Sequence, residues 1–104
     1  MKEEARAREA LSSGRILRVV FEPSGRTLYL ALSRERDRYY LMIPGRYCSC
    51  GEFFFNVLLR RTANACHHLM ALSMALSSGG LREVRADDRE YPSYLRRIFR
   101  GALL

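Results

Sequence analysis

The tightest constraint on this chain is the placing of its soft side chains. Its three cysteines read Cys48-Ser49-Cys50 and then Cys66, and its two histidines, His67 and His68, follow at once. If these groups close on one point, two separate peptides must come together, whatever the rest of the chain does. Three thiolates and one imidazole complete a tetrahedral ligand set for zinc. A catalytic zinc keeps one position for water, so a full set of four points to a structural ion. Zinc is the expected cofactor, with Cys48, Cys50, Cys66 and His68 as its ligands.

Competing chemistries fit less well. An odd number of cysteines does not suit a disulfide framework, and the charged, alanine-rich segment 1–13 does not read as a secretory leader. Iron–sulfur clusters use four cysteines or a different order of histidines. The His-x-Glu with Pro-Cys-x-x-Cys of zinc deaminases and the His-Glu-x-x-His of zinc proteases do not occur. With four ligands present and no acid–base pair flanking them, the chain is not expected to be an enzyme, and no catalytic residue is assigned.

Geometry narrows the local structure. In an extended strand, Cys48 and Cys50 would stand about 6.6 Å apart. Two sulfurs on one zinc sit only ~3.8 Å apart. The segment must therefore curl, and Gly51 suits a tight turn there. On a helix, residues i and i+2 diverge, so Cys66 and His68 share an ion only if Cys66 stands at or before the helix start. Thr62 or Asn64 is the expected cap of that start. His67 remains a rival fourth ligand; its plainer role is a solvent-facing basic residue on the first turn.

A length of 104 residues, 48% of them hydrophobic, suits one globular domain, residues 1–104. No apolar run approaches the roughly 18 residues that a membrane span needs. Unpaired cysteines suit a reducing interior. The expected location is the cytoplasm of a prokaryotic or archaeal cell or the nucleus of a eukaryotic one, not the secreted space. The net charge is +7, and Lys2 is the only lysine among 18 cations. Arginine forks grip phosphate, and a basic domain carries the footprint of a nucleic-acid binder. The candidate contacts are Arg60, Arg61 and His67 near the ligands, and Arg96, Arg97 and Arg100 near the end. An ion-paired surface would give the same composition, so both readings stay open.

The fold class is α+β. A small antiparallel β-meander of about four strands is expected, with a zinc-pinned buried helix and flanking N- and C-terminal helices. Residues 2–13 read as a helix that buries little and frays. Residues 15–22 and 26–33 read as a hairpin around Pro23-Ser24-Gly25. Tyr39, Leu41 and Ile43 alternate with Tyr40 and Met42 in a third strand, and residues 46–49 deliver the first two ligands from a fourth. Residues 52–59 favour a short helix. Residues 65–78 read as a central helix, apolar nearly all round. Residues 81–90 look charged and irregular, and 92–103 return to helix. The plain role of Phe53, Phe54, Phe55, Val57 and Leu58 is core. A chain this short covers only part of such a set, so Phe54, Phe55 and Leu58 are the expected partner-binding surface.

The local text is Tyr47-Cys48-Ser49-Cys50-Gly51-Glu52-Phe53, then Val57-Leu58-Leu59, then Cys66-His67-His68-Leu69-Met70-Ala71. This Cys-x-Cys and Cys-x-His pattern resembles the SWIM zinc finger. Over residues 39–78 it is most similar to the SWIM-domain subunit of the Shu recombination complex. The resemblance implies a DNA-repair and homologous-recombination accessory. It implies binding to a RecA-type recombinase paralogue and to single-stranded DNA, with no small-molecule substrate and no catalytic residues. That family usually has lysine where this chain has His67. The alternative is a stand-alone DNA-binding zinc-finger module in regulation or transposition.

Overall fold

The computed structural model describes residues 2–61 and 65–99. Helix α1 (Lys2–Ser12) leads into the hairpin β1 (Ile16–Glu22) and β2 (Thr27–Leu32), then β3 (Tyr39–Ile43) and the two-residue β4 (Tyr47–Cys48). A π-helical turn spans Phe53–Leu59. Then come α2 (His67–Ser78), β5 (Arg82–Asp87), a 3-10 turn (Asp88–Glu90) and α3 (Tyr91–Phe99). The α+β class and the meander are as expected. The helix-forming choice for residues 52–59 also holds, in a wider winding with Arg60 N–H donating to the Phe55 carbonyl at 2.8 Å.

The sheet runs β4-β3-β2-β1-β5. Its first four strands are antiparallel, and β5 lies parallel to β1 with Val19 beside Val84 and Phe21 beside Ala86. This fifth strand corrects the irregular reading of residues 81–90. Only Val84 and Ala86 turn inward from it; Arg82, Glu83, Arg85 and Asp87 stay exposed on an edge. Its pairing is also remote in sequence.

Strand alternation builds two cores. Leu17, Val19, Phe21, Leu30 and Ala86 face α3, where Ile98 meets them. Ile16, Ala31, Met42 and Cys48 face the opposite way, toward α1 and α2. The sheet is thus the middle of three layers. Across the α3 face, Phe21 meets Tyr91 and Tyr94 edge-on at 5.0 and 5.4 Å, and Tyr94 stacks on Tyr39 at 5.6 Å.

Two helices differ from expectation. α1 is anchored rather than frayed: Ala7 and Ala10 are wholly buried, and their small side chains let α1 lie close on α2. At its end Gly14 takes φ +73°, and Arg15 turns back under the helix. The buried Arg15 guanidinium donates to Glu9 at 2.6 Å, to Ser13 at 2.9 Å and to the Leu32 carbonyl at 3.3 Å. α2 is half-buried rather than enclosed. His68, Leu69, Ala71, Leu72 and Ala75 line its inner face, while Leu76 is 45% exposed because no layer covers the outside.

Candidate metal centre

β4 pairs only with β3, and this sets Cys48 opposite Met42 with its side chain inward. Beyond it, Ser49 continues the pairing. Its N–H donates to the Leu41 carbonyl at 3.0 Å, and its hydroxyl accepts from Leu41 N–H at 2.9 Å. The chain then curls into a helical turn at Gly51. That glycine has no positive φ, so the curl comes from the helical turn and not from the freedom expected of glycine.

Cys50 opens this turn, and its sulfur accepts from Phe53 N–H at 3.4 Å. Cys66 holds the corresponding place on α2. It is the N-cap, extended at φ −83° and ψ 170°, with its sulfur accepting from Leu69 N–H at 3.5 Å. A cysteine before the helix start was the condition for Cys66 and His68 to face one point. The expected caps, Thr62 and Asn64, lie outside the described residues, and Cys66 itself takes that role.

The four ligand atoms of Cys48, Cys50, Cys66 and His68 all lie within 4.8 Å of one another, and all four residues are buried. Cys48 Sγ is 3.9 Å from His68 Nδ1, near the ~3.6 Å between a sulfur and an imidazole nitrogen that share one zinc. Among the described residues no other group of three or more such side chains gathers. Proton affinities point the same way. Hydrogen bonds from Cys48 and then Cys66 push the Cys50 thiol down to about 3. The hydrogen bond to Cys50, then the one to Cys66, then burial push the Cys48 thiol far up. Three thiols this close cannot all ionise in a dry site unless a cation joins them. The donor set therefore fits zinc, which would supply that charge and tie β4 to α2.

His67 does not face solvent. Its Nδ1 lies 2.6 Å from Glu52 Oε1, and its backbone N–H donates to the same oxygen at 3.4 Å. Burial above all holds the imidazole below its ordinary pKa. A carboxylate only accepts, so the ring's Nδ1–H donates to it. Arg6 Nη2 stands 3.6 Å from that oxygen. A carboxylate–imidazole pair thus flanks the ligands, contrary to the sequence reading, and joins the Cys50 turn to the start of α2. The signal for it was Glu52 itself, the one acid inside the motif. The His68 ring packs against Tyr40 at 5.1 Å.

The other candidates divide. Arg60 and Arg61 are exposed at the end of the π-helical turn. Arg96 is exposed on α3, across the sheet from the ligands, and Arg100 lies outside the described residues. Arg97 is half-buried and packs on the protein's own surface. Its guanidinium sits 4.3 Å over the Tyr39 ring and donates to the Tyr39 hydroxyl at 3.3 Å. In the π-helical turn Phe53 is buried, while Phe54, Phe55, Leu58 and Leu59 are 50–60% exposed. Tyr47, on the edge strand, meets Phe53 edge-on at 5.5 Å and extends this apolar surface.

The chain is 33% identical over 87 residues to a zinc finger SWIM domain-containing protein 7 homolog of Dictyostelium discoideum, covering 84% of this chain and 56% of that protein. It is 30% identical over 78 residues to zinc finger SWIM domain-containing protein 7 of Danio rerio, covering 75% and 56%. It is 27% identical over 77 residues to the Homo sapiens protein of that name, covering 74% and 55%. The chain spans little more than half the length of these relatives. No protein-family model and no solved structure matches it. These relatives and the buried ligand cluster make this a zinc-binding, SWIM-type finger. No helix among the described residues is long and apolar enough to cross a membrane.

Proposed function

We propose that this zinc finger is a non-catalytic DNA-repair and recombination accessory that docks on a RecA-type recombinase paralogue. The observation that carries the reading is the run Phe54, Phe55, Leu58 and Leu59, each half-exposed or more, held beside the metal centre by the buried Phe53. Large apolar side chains grouped in the open mark an interaction site. Its likeness to the SWIM-domain subunit of the Shu complex supplies the class of partner. The zinc is structural: it holds the π-helical turn against α2 and so sets the angle of the docking surface. Single-stranded DNA is the second ligand of this reading, touched by Arg60, Arg61 and Arg96. The setting is the cytoplasm of a prokaryotic or archaeal cell, or the nucleus of a eukaryotic one.

The test is co-purification of the zinc-loaded chain with a RecA-type paralogue from the same genome. The expected result is a stable complex that Phe54→Ala and Leu58→Ala each weaken by about 2 kcal/mol or more, with zinc content and melting temperature kept. No complex, together with sequence-selective DNA binding by the chain alone, would favour the stand-alone DNA-binding module instead.

A further inference from the structure

A polar cleft of about 260 Å³ opens beside the metal centre. Three arginines line it from three different parts of the fold: Arg6 from α1, Arg15 just before β1 and Arg34 from the β2–β3 loop. Among the described residues Glu35 is the one carboxylate on its wall, and His67 and the ligand His68 line it on the side of the metal centre.

The three arginines are not equivalent. Arg15 is buried, and Glu9, Ser13 and the Leu32 carbonyl fix it, so it acts as a stationary charge. Arg34 is 75% exposed and, among the described residues, reaches Glu9 at 3.4 Å. Arg6 is 50% exposed and, among the described residues, reaches Glu52 at 3.6 Å. A guanidinium has five N–H donors, so both keep most of theirs free. Glu9 and Glu52 stand behind these arginines and aim them. Planar forks converging from separate elements match a tetrahedral oxyanion, which each can hold through two parallel hydrogen bonds. The cavity holds more than a water molecule, with space for a phosphate and the sugar attached to it.

We propose that this cleft binds a phosphate group, gripped by Arg6 and Arg34 with Arg15 as the fixed charge behind them. The ligand chemistry is the same whether the phosphate is free or carried by a nucleic-acid strand. The site is separate from Arg60, Arg61 and Arg96, so it does not depend on their contacts.

The experiment follows the arginine Nε–Hε resonances of the zinc-loaded protein by NMR. The probes are inorganic phosphate, a short single-stranded oligonucleotide with a 5′-phosphate, and the same oligonucleotide without it. Chloride at matched ionic strength is the control. Saturable shifts of Arg6, Arg15 and Arg34, absent with chloride, are expected. Arg6→Ala and Arg34→Ala should each raise the dissociation constant about tenfold, one charge-assisted fork being lost, with zinc content unchanged. Shifts with inorganic phosphate alone identify a free phosphate as the ligand; equal shifts with both oligonucleotides identify the strand's backbone. Absence of saturable shifts with every probe overturns the site. So does phosphate binding that both variants leave intact. If oligonucleotide binding falls in Arg60→Ala and Arg61→Ala but is indifferent to Arg6→Ala and Arg34→Ala, nucleic-acid binding stands and the cleft as its site does not.

Discussion

At the scale of single residues, the two adjacent histidines have opposite duties. His68 Nδ1 lies 3.9 Å from Cys48 Sγ in the ligand cluster, whereas the Nδ1 of His67 is occupied by Glu52. His68→Ala should therefore abolish stoichiometric zinc, and His67→Ala should retain it, as read by metal analysis of the purified variants. The reverse pattern would make His67 the ligand. The sequence already favoured His68 through its Cys-x-His spacing. It could not place Glu52, because a residue from the Cys50 turn meets His67 only once zinc-site geometry folds the two peptides together. Glu9 gives a residue-scale prediction in pH. Its hydrogen bond with Arg15 holds its carboxyl below the usual carboxylate range. A group whose folded pKa is depressed stabilises above its unfolded pKa, about 4.3 for glutamate. That contribution is lost as pH falls through the lowered folded value. Glu9→Gln should therefore cost about 1 kcal/mol near neutrality, a modest figure because Glu9 is 44% exposed. The gap in melting temperature between the two proteins should shrink below about pH 4. A gap that stays constant down to strong acid would show that the ion pair is not its source.

At the scale of elements, the π-helical turn separates burial from display within consecutive phenylalanines. Phe53 is 3% exposed and Phe54 50%. Phe53→Ala should cost about 3–5 kcal/mol by leaving a cavity against the ligand cluster. Phe54→Ala should cost under about 1 kcal/mol, as surface changes do. Denaturant midpoints distinguish the two, and equal costs would place Phe54 in the core. The sequence could not make this division. Three identical residues in a row carry no period, and only the winding of the turn selects which one points inward. β1, β2 and β3 were legible because alternation such as Leu28, Leu30 and Leu32 against Tyr29, Ala31 and Ser33 mirrors a sheet with different neighbours on its two faces. β5 was not legible, because an edge strand needs only two inward residues and this one uses the small pair Val84 and Ala86. α1 was recognised as a helix but misjudged as loose. Its grip comes from Ala7 and Ala10, whose value lies in the close approach that they permit rather than in apolar bulk.

At the scale of the whole molecule, the sheet divides the structure into two halves that depend on zinc unequally. The three cysteine ligands lie on the face shared with α1 and α2, within the cluster of Met42, Phe53, Leu69 and Leu72, and His68 is buried on α2 beside them. The opposite core, of Leu17, Val19, Phe21, Leu30 and Ile98, contains none of them. Binding energies of structural zinc, about 10–16 kcal/mol in finger peptides, rival the whole stability of a domain, about 5–15 kcal/mol. Removing the ion should therefore undo the half that it organises. The three thiols would repel one another if ionised, α2 would lose its tie to β4, and α1 would lose the surface on which Ala7 and Ala10 pack. The α3 half retains its own aromatic contacts, Phe21 against Tyr91 and Tyr94 and Tyr94 against Tyr39. In hydrogen exchange after chelation, amides of α1, α2 and β4 should lose protection first. Those of β1, β2 and α3 should keep a measurable part of theirs, and readdition of zinc should restore the pattern. Simultaneous loss across both faces would mean that the two cores unfold as one unit, with the ion holding the entire sheet. Unchanged protection throughout would mean that the ligand cluster does not depend on metal, and that the π-helical turn is held in place by Phe53 and the Glu52–His67 pair instead.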